Sequence, residues 1–541
     1  MKNVAIIGAG CSGLTAIKAC LEENLFPVCF EMSNKIGGLW NYSDDVEDER
    51  ASIYKNLVIN TSKEMMAFSD FPIPEDFPPF MPHDLVLKYL FLYVESFGLK
   101  KYIQFDTHVR YITRAPDYAE SGRWVITVQK KGCESKSQVF DGVMVCTGHH
   151  TVPYTPSFVG LERFKGVTFH SHKYKDSSKF AGRRVLIVGM GNSAVDIAVD
   201  LCKVTSKLLI STRRGAWVIS RTGLWGIPND FLANNRFIFT LPLCLLQWCV
   251  EKQTNLRLDH TIYGLLPKHR LLEAHPTIND ELPFHIMTGK IGIKCNVDEF
   301  LENGVLFTDR TFEQIDDVIF CTGYDYRVDF VDPSVLQIVD NKTKLFKYMF
   351  PPELPHSTFA VIGLVQPIGS IIPVSEIQSR WFSRLLNGNV SLPSKEVMYQ
   401  DMDSKVNIMA RRYVQCRRHH LQTFWIQYMD EIASQIGCRP DLLKLFFNDP
   451  ELALRCFLGP CVPAQYRLQG PGKWDGARHI ICNSLARATA STRRVQSTTQ
   501  DPEHVTTIKY HKMDALLTFR FYLMVMCVVF FAWVCKDSFL L

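Results

Sequence analysis

Residues 4–13 of the chain read VAIIGAGCSG, an apolar run that ends in a Gly-x-Gly-x-x-Gly turn. Residues 185–194 read VLIVGMGNSA and repeat the pattern about 180 residues later, with alanine in the third position. In each stretch a buried strand is predicted to enter a tight turn and then a helix, whose N-terminus binds the pyrophosphate of a dinucleotide. Two such motifs in the same context predict an α/β chain with two dinucleotide-binding, Rossmann-like domains.

The residues that follow the next strand distinguish the two sites. After the first motif, residues 28–30 lead into Glu31, at the offset where a carboxylate accepts hydrogen bonds from a ribose diol. After the second motif, residues 208–212 lead into Arg213 and Arg214, which can pair with a 2′-phosphate. We therefore predict FAD at the first site, NADPH at the second, and electron transfer between them. The alternative is that both turns are ordinary connections that bind nothing.

Composition places the chain among globular proteins. Its 541 residues are 47% apolar, and the net charge of +5 is small for this length, which gives no case for nucleic-acid binding. The 17 cysteines are scattered without the spacing of a zinc site or a redox pair, so we expect reduced thiols and no metal. We expect no secretory signal, since its cleavage would remove the first motif. The basic cluster at 411–420 favours a face toward solvent or a membrane over a metal or nucleic-acid site.

The end of the chain has a different character. Residues 491–510 are polar and predict an exposed linker. Residues 521–535 carry no charge, and counted from Ala515 the segment reaches the length of about 20 residues that spans a bilayer. Arg520 could extend to the headgroups. We predict a membrane anchor over 512–541, the alternative being a helix of a soluble core.

A segment between the two motifs, residues 164–174, matches the pattern Phe-x-Gly-x-x-x-His-x-x-x-Tyr, which marks flavin-containing monooxygenases. Further stretches are similar to the vertebrate microsomal, dimethylaniline N-oxide-forming members of that family: residues 37–40, 60–65, 68–72, 279–283, 320–324 and 470–478. The chain therefore resembles this family from residue 1 to about residue 480.

The resemblance implies an NADPH-binding domain inserted in an FAD-binding domain. We accordingly predict the FAD-binding domain over 1–163 and 330–445, the NADPH-binding domain over 164–329 with an insertion at about 215–295, a C-terminal region with the linker over 446–511, and the anchor over 512–541. The resemblance also implies the endoplasmic reticulum membrane, with the catalytic body in the cytosol and membrane lipid as a partner. A homo-oligomer is left open.

The implied activity is an NADPH- and O2-dependent monooxygenation. In enzymes that resemble this chain, NADPH reduces FAD, and the reduced flavin captures O2 as a C4a-hydroperoxide. A soft nitrogen or sulfur of a small lipophilic amine or sulfide then takes the distal oxygen. The protein orients the cofactors and excludes water. Two alternatives stay open: Baeyer–Villiger oxygenation of ketones, and a weakly coupled paralogue that releases hydrogen peroxide.

The candidate site residues combine the motifs with the resemblance. Asn60 matches the family asparagine that contacts flavin and nicotinamide, and is the predicted catalytic residue; the alternative is a turn asparagine. Tyr54 and Lys63 are expected nearby. The predicted FAD contacts are Gly8, Ala9, Gly10, Cys11, Ser12, Gly13, Glu31, Gly38, Leu39, Trp40, Asn60 and Thr61. The predicted NADPH contacts are Gly189, Gly191, Asn192, Ser193, Ala194, Asp196, Arg213 and Arg214.

Several positions depart from the family pattern. Ile59 stands where small or hydroxylated residues are usual, and residues 373–378 read PVSEIQ, with Val374 and Ile377 in place of Thr. Leu485 ends a stretch that lacks the expected Thr-Gln-Trp. These changes could narrow the pocket, alter substrate choice or divert the cycle to hydrogen peroxide.

Overall fold

The computed structural model describes residues 1–47, 49–414 and 419–492. The predicted anchor over 512–541 and almost all of the predicted linker over 491–510 lie outside these residues. Within the described ranges, no helix is long and apolar enough to cross a membrane.

The chain forms two compact units. Of the described residues, the first contains those within 1–60, 82–221 and 247–424, and the second contains 61–81, 222–246 and 425–492. Both glycine motifs lie in the first unit. The domain boundaries inferred from the sequence remain a prediction.

The first motif belongs to a five-stranded parallel sheet. Its strands, in spatial order, are Phe359–Val361, Gly142–Val145, Asn3–Ile7, Phe26–Phe30 and Ile103–Gln104. The central strand is almost wholly apolar because both of its faces are covered, and Val4, Ala5 and Ile6 are fully buried. Ile7 pairs with Phe30, so Gly8 and Glu31 leave the sheet at the same edge. That edge is where α/β sheets bind ligands.

The second motif belongs to another five-stranded parallel sheet. Its strands, in spatial order, are Gly292–Lys294, Lys207–Ser211, Arg184–Val188, Asp317–Phe320 and Val167–His170. Val188 pairs with Ser211, so Gly189 and the segment that carries Arg213 leave this sheet at one edge. The prediction of an α/β fold with two Rossmann-type sheets is confirmed.

Shorter strands complete the first unit. Two antiparallel three-stranded sheets contain Thr107–Arg114, Trp124–Lys130 and Ser135–Phe140, and Val297–Leu301, Gly304–Phe307 and Phe312–Gln314. Four strand pairs join Val152–Pro153 to Tyr324–Asp325, Val218–Ile219 to Thr277–Ile278, Ile338–Val339 to Lys342–Thr343, and Gln366–Ile368 to Gln422–Phe424.

The α-helices of the first unit are Cys11–Glu22, His83–Ser96, Tyr118–Ser121, Asn192–Leu201, Leu282–Met287, Ile371–Leu386 and Lys395–Arg412. Those of the second unit are Lys63–Met66, Asn229–Ala233, Trp425–Ile436, Leu442–Asn448, Pro450–Leu458 and Ala477–Ala488, and Leu243–Arg257 spans the boundary along the chain. Short 3-10 turns lie at Gly38–Trp40, Leu99–Tyr102, Leu161–Arg163, Ser171–Lys173, Ser178–Phe180, Leu224–Gly226, Ile238–Thr240, Leu271–Glu273, His419–Leu421, Pro463–Arg467 and Ala490–Thr492.

The second unit combines an aliphatic core with buried ion pairs. Its core contains Phe231, Leu452 and Ile481, all of which are buried. The Arg467 guanidinium lies 3.0 Å from the Asp70 carboxylate, and its side chain is 2% exposed. Buried charges of this kind require a partner, because an isolated charge would pay a desolvation cost of several kcal/mol.

Candidate cofactor and catalytic site

Two glycines of the first turn have no room for a side chain. Gly8 has φ +100°, and a Cβ there would lie 2.9 Å from the Cys146 carbonyl oxygen. A Cβ on Gly13 would lie 1.8 Å from the Gly8 carbonyl oxygen, which requires glycine at the third position. The helix Cys11–Glu22 starts after Gly10, and no described side chain caps it. Its first N–H groups are therefore available to an anion such as a pyrophosphate.

A second segment lies directly on this turn. Gly38, in the 3-10 turn Gly38–Trp40, has φ +53°, and a Cβ on it would lie 3.1 Å from the Gly10 Cα atom. Leu39 and Trp40 follow in the same turn. The structure thus brings the predicted contacts at 38–40 onto the predicted pyrophosphate site, leaving a cradle of bare backbone that suits FAD.

Glu31 supports the turn as well as facing it. Its Oε2 atom accepts a hydrogen bond from the Ala9 N–H group at 2.8 Å. Its Oε1 atom accepts bonds from the N–H and hydroxyl groups of Ser33, at 2.9 and 2.7 Å. A carboxylate has about four lone-pair positions, so it can still accept a bond from a ribose hydroxyl. Sequence reasoning did not identify Ser33; a serine two residues after the acid was the available signal.

Two predicted FAD contacts, Cys11 and Ser12, are the first residues of the helix Cys11–Glu22. Burial raises the pKa of the Cys11 thiol, so this side chain is a neutral, packed group. The hydroxyl groups of Ser12 and Ser375 are hydrogen-bonded at 2.9 Å, which joins the helix Cys11–Glu22 to the helix Ile371–Leu386. Val374 and Ile377 are buried in the latter helix.

The second glycine turn has the same construction. Gly189 has φ +121°, and a Cβ there would lie 2.5 Å from the Cys321 carbonyl oxygen. Gly191 precedes the helix Asn192–Leu201, and no described side chain caps that helix. Ala194 is fully buried, which shows that the third position accepts a methyl group here. Asn192 uses its Oδ1 atom to accept a hydrogen bond from the Ile278 N–H group at 2.7 Å.

A cleft of about 2180 Å³ opens beside this turn. Its walls include residues 189–194, Arg213 and Arg214, together with Leu39 and Tyr54 from the first part of the chain. Pockets for a single small ligand usually measure about 300–1,000 Å³, so this cleft has room for a dinucleotide and a second molecule. The structure therefore places Arg213 and Arg214, which are predicted to bind a 2′-phosphate, in the same cleft as the second glycine turn.

Asp196 belongs to a hydrogen-bond network rather than to an open surface. Its Oδ2 atom accepts a bond from the Tyr54 hydroxyl group at 2.7 Å, and its Oδ1 atom accepts one from Asn279 Nδ2 at 3.0 Å. Burial raises the pKa of Asp196. Burial together with the neighbouring carboxylate raises the pKa of Tyr54 well above its usual value, so Tyr54 remains a neutral donor.

Asn60 is held by an arginine that no motif in the sequence indicates. Arg221 Nη2 donates to Asn60 Oδ1 at 2.8 Å, and Arg221 Nε donates to the Ile59 carbonyl oxygen at 3.2 Å. The two side chains are 161 positions apart in sequence. Arg221 also lies 3.3 Å from Asp280 Oδ2. Ile59, one of the departures from the family pattern, is 5% exposed and packs inside the protein.

The residues after Asn60 begin the second unit. Thr61 is its first residue, and Lys63 is fully buried in it. Lys63 Nζ donates to the carbonyl oxygens of Pro74, Glu75 and Phe77 at 3.1, 2.7 and 2.6 Å. These bonds use all three of its N–H donors, which leaves none for a cofactor. The expectation that Lys63 serves the cofactor shell is therefore not supported. Leu485 lies in the helix Ala477–Ala488 and packs against the core of this unit.

Within the described part of the chain, no group of three or more His, Cys, Asp or Glu side chains could hold a metal ion. Charged groups beside one of the turns or the Asn60 segment include Glu31, Asp196, Arg213, Arg214 and Arg221. Their chemistry suits the binding of a diol and of phosphate groups rather than a nucleophilic or acid–base mechanism.

The family described as flavin-binding monooxygenase-like matches residues 1–527 of this chain. Among curated relatives, "Flavin-containing monooxygenase 5" of Cavia porcellus is 48% identical over 94% of this chain and 96% of its own length. "Dimethylaniline monooxygenase [N-oxide-forming] 2" of Oryctolagus cuniculus is 46% identical over 90% of this chain and 92% of its own length.

Solved structures share the fold at lower identity. The S-allyl-L-cysteine S-oxygenase of Allium sativum has a TM-score of 0.64 and 23% identity, and the match covers 90% of this chain and 99% of that chain. A cyclohexanone monooxygenase of Rhodococcus sp. Phi1 bound to NADP+ has a TM-score of 0.55 and 16% identity, over 81% of this chain and 97% of that chain. At these identities, the likeness shows the fold alone.

Proposed function

The chain belongs to the flavin-binding monooxygenase-like family, and we propose that it oxygenates soft nitrogen or sulfur centres of small lipophilic amines and sulfides. It is an FAD- and NADPH-dependent monooxygenase that uses O2. The name of the rabbit relative, which specifies N-oxide formation, supports this substrate class. Ketone oxygenation is not favoured, because the likeness to cyclohexanone monooxygenases is a likeness of fold.

One observation carries the two-cofactor chemistry on which the proposal depends: the first unit holds two preformed glycine turns with opposite charges beside them. FAD would be held by residues 8–13, Glu31 and residues 38–40, where bare backbone and a carboxylate meet. NADPH would be held by residues 189–194 with Arg213 and Arg214. When bound, FAD would supply the redox chemistry that passes two electrons from NADPH to O2, with one oxygen atom going to the substrate and the other leaving as water.

The side chains contribute orientation and exclusion of water rather than proton transfer. The amide of Asn60 has no proton to lose near neutral pH, so it can orient a partner without acting as an acid or base. The Tyr54 hydroxyl group stays protonated. Buried Ile59 places an apolar side chain next to Asn60. A site of this kind favours substrates that are themselves nucleophiles, since they need no activation by the protein.

The proposal is tested by comparing three substrates of similar size with the FAD-loaded, full-length protein: a dialkyl sulfide, a tertiary amine and a cyclic ketone. Each receives NADPH in air, and products are quantified by mass spectrometry alongside hydrogen peroxide. We expect sulfoxide or N-oxide to form faster than lactone. Preferential lactone formation, or recovery of nearly all NADPH electrons as hydrogen peroxide, would overturn the proposed substrate class.

We also propose that the protein resides in the endoplasmic reticulum membrane, with its catalytic body in the cytosol. The support is the uncharged run 521–535 near the end of the chain, long enough with its preceding residues to span a bilayer. This segment lies outside the described residues.

A further inference from the structure

We propose that Arg221 is a positioning residue: it determines whether the oxygen or the NH2 group of the Asn60 amide faces the bound cofactors. A guanidinium group has donors and no acceptor, so the group that faces it across 2.8 Å must be the amide oxygen of Asn60. The NH2 group then points away from Arg221. Among the described residues, that NH2 group donates to no protein acceptor. It is available to donate to a carbonyl or ring nitrogen of a cofactor.

Arg221 is itself held from several directions. Its Nη1 atom lies 3.3 Å from Asp280 Oδ2, and its backbone N–H group donates to Asp280 Oδ1 at 3.1 Å. The Asp196 carboxylate lies 3.9 Å from Nη2, and the Arg221 side chain is 13% exposed. Two carboxylates balance its charge, while its Nε and Nη2 donors reach the Ile59 carbonyl oxygen and the Asn60 amide. The planar fork can therefore meet two acceptors of one segment at once, which an ammonium group cannot do equally well.

This arrangement joins the Asn60 segment to the helix that follows the second glycine turn. Asp196 lies on the helix that follows the second turn, and it also accepts a bond from Tyr54, which shares a segment with Asn60. Without the guanidinium, the Asn60 amide could rotate by a half-turn and exchange its oxygen and nitrogen positions. A cofactor that requires a donor would then meet an acceptor.

A residue that only stabilises the fold and a positioning residue differ in how their substitutions combine with a substitution of Asn60. If Arg221 acts through Asn60, removing both side chains costs no more than removing Asn60 alone. If Arg221 only braces the fold, the two effects are independent and multiply. The inference rests on the proposed function in one respect, the contact between Asn60 and the cofactors.

The experiment compares Asn60→Ala, Arg221→Met and the double variant as full-length, FAD-loaded proteins. The first readout is the visible circular dichroism of bound FAD, with and without NADP+, which reports the surroundings of the ring without requiring turnover. The second is the rate of dialkyl sulfide oxygenation. We expect all three variants to show the same altered spectrum and the same fall of at least tenfold in rate. Asn60→Asp keeps an oxygen toward Arg221 but lacks the NH2 group, so it should match them.

The matched control is Arg257→Met, because Arg257 lies 3.9 Å from the same Asp280 carboxylate and is 56% exposed. We expect it to leave the spectrum and the rate unchanged. If Arg221→Met does not accumulate as folded protein, Arg221→Lys replaces it, since it keeps the charge between the two carboxylates but lacks the fork. An unaltered FAD spectrum in the Arg221 variants, or a double variant about 100-fold slower than the parent, would overturn the proposal. If the parent oxygenates none of the substrates, the proposed function fails, and the FAD spectrum alone still decides the role of Arg221.

Discussion

The Oε2 atom of Glu31 accepts a hydrogen bond from the Ala9 N–H group at 2.8 Å, so the acid predicted to bind the ribose also shapes the glycine turn. Hydrogen bonds to charged groups contribute about 1.5–3 kcal/mol each. We expect Glu31→Ala to raise the dissociation constant for FAD by tenfold or more, measured by flavin release on dilution. Glu22→Gln, a change at the far end of the helix Cys11–Glu22, is the control and should retain parental affinity. Equal FAD affinity in Glu31→Ala would show that the carboxylate does not serve the cofactor.

Substitutions of the second and third glycines of the first turn should have different effects. A Cβ on Gly13 would lie 1.8 Å from a backbone oxygen, whereas a Cβ on Gly10 meets nothing closer than 3.7 Å. We expect Gly13→Ala to lower the melting temperature of the apoprotein, because the helix and strand must separate. Gly10→Ala should leave the apoprotein stable but weaken FAD binding, since the methyl group occupies the path of the pyrophosphate. Thermal unfolding of both apoproteins checks the contrast, and an unchanged melting temperature for Gly13→Ala would contradict it.

Arg213 and Arg214 line the cleft beside the second turn. Their guanidinium groups should favour NADPH over NADH by pairing with the 2′-phosphate. We expect the double variant Arg213→Ala with Arg214→Ala to raise the KM for NADPH far more than the KM for NADH. Lys207→Ala removes a cation from the start of the preceding strand and serves as the control. The assignment is wrong if the ratio of the two KM values stays at the parental level.

One buried and one half-buried histidine predict sensitivity to acid. Burial lowers the pKa of His149 and of His170 to about 4, below the usual value of 6.5. The unfolded chain therefore binds more protons between pH 4 and 6.5, and folding stability falls as the pH is lowered through this range. His170 Nδ1 accepts a hydrogen bond from the His172 backbone N–H group. The amide oxygen of an asparagine at position 170 can accept the same bond. We expect His170→Asn to reduce the loss of melting temperature between pH 6.5 and 4.5, while replacement of exposed His479 leaves it unchanged. A parental pH profile in His170→Asn would contradict this account.

Deletion of residues 512–541 tests the proposed anchor. We expect the shortened protein to leave the membrane fraction at least in part while retaining FAD, because no predicted cofactor contact lies in that segment. Deletion of residues 536–541 alone, after the uncharged run, is the control and should leave membrane attachment intact. Full recovery of the shortened protein with membranes would show that other surfaces carry the attachment.

The turns and their sheets could be predicted because the governing physics is local. Gly13 avoids a clash with the Gly8 carbonyl oxygen five positions earlier, the positive φ of Gly8 and Gly189 is set by the turn itself, and Glu31 follows at a fixed offset. The contact of Asn60 with Arg221 could not be predicted, because it joins positions 161 apart and neither lies in a periodic pattern. Lys63 is a similar case: a lysine inside a family-like stretch suggests a cofactor contact, whereas three carbonyl oxygens of a nearby loop surround its ammonium group.

The most direct test of the central claim is incorporation of labelled oxygen. The FAD-loaded parent is supplied with NADPH, a dialkyl sulfide and ¹⁸O2, and the sulfoxide is examined by mass spectrometry. We predict one ¹⁸O atom in each sulfoxide and about one NADPH oxidised per product. Unlabelled sulfoxide, or labelled hydrogen peroxide with no sulfoxide, would contradict the claim that this protein is a monooxygenase of soft nucleophiles.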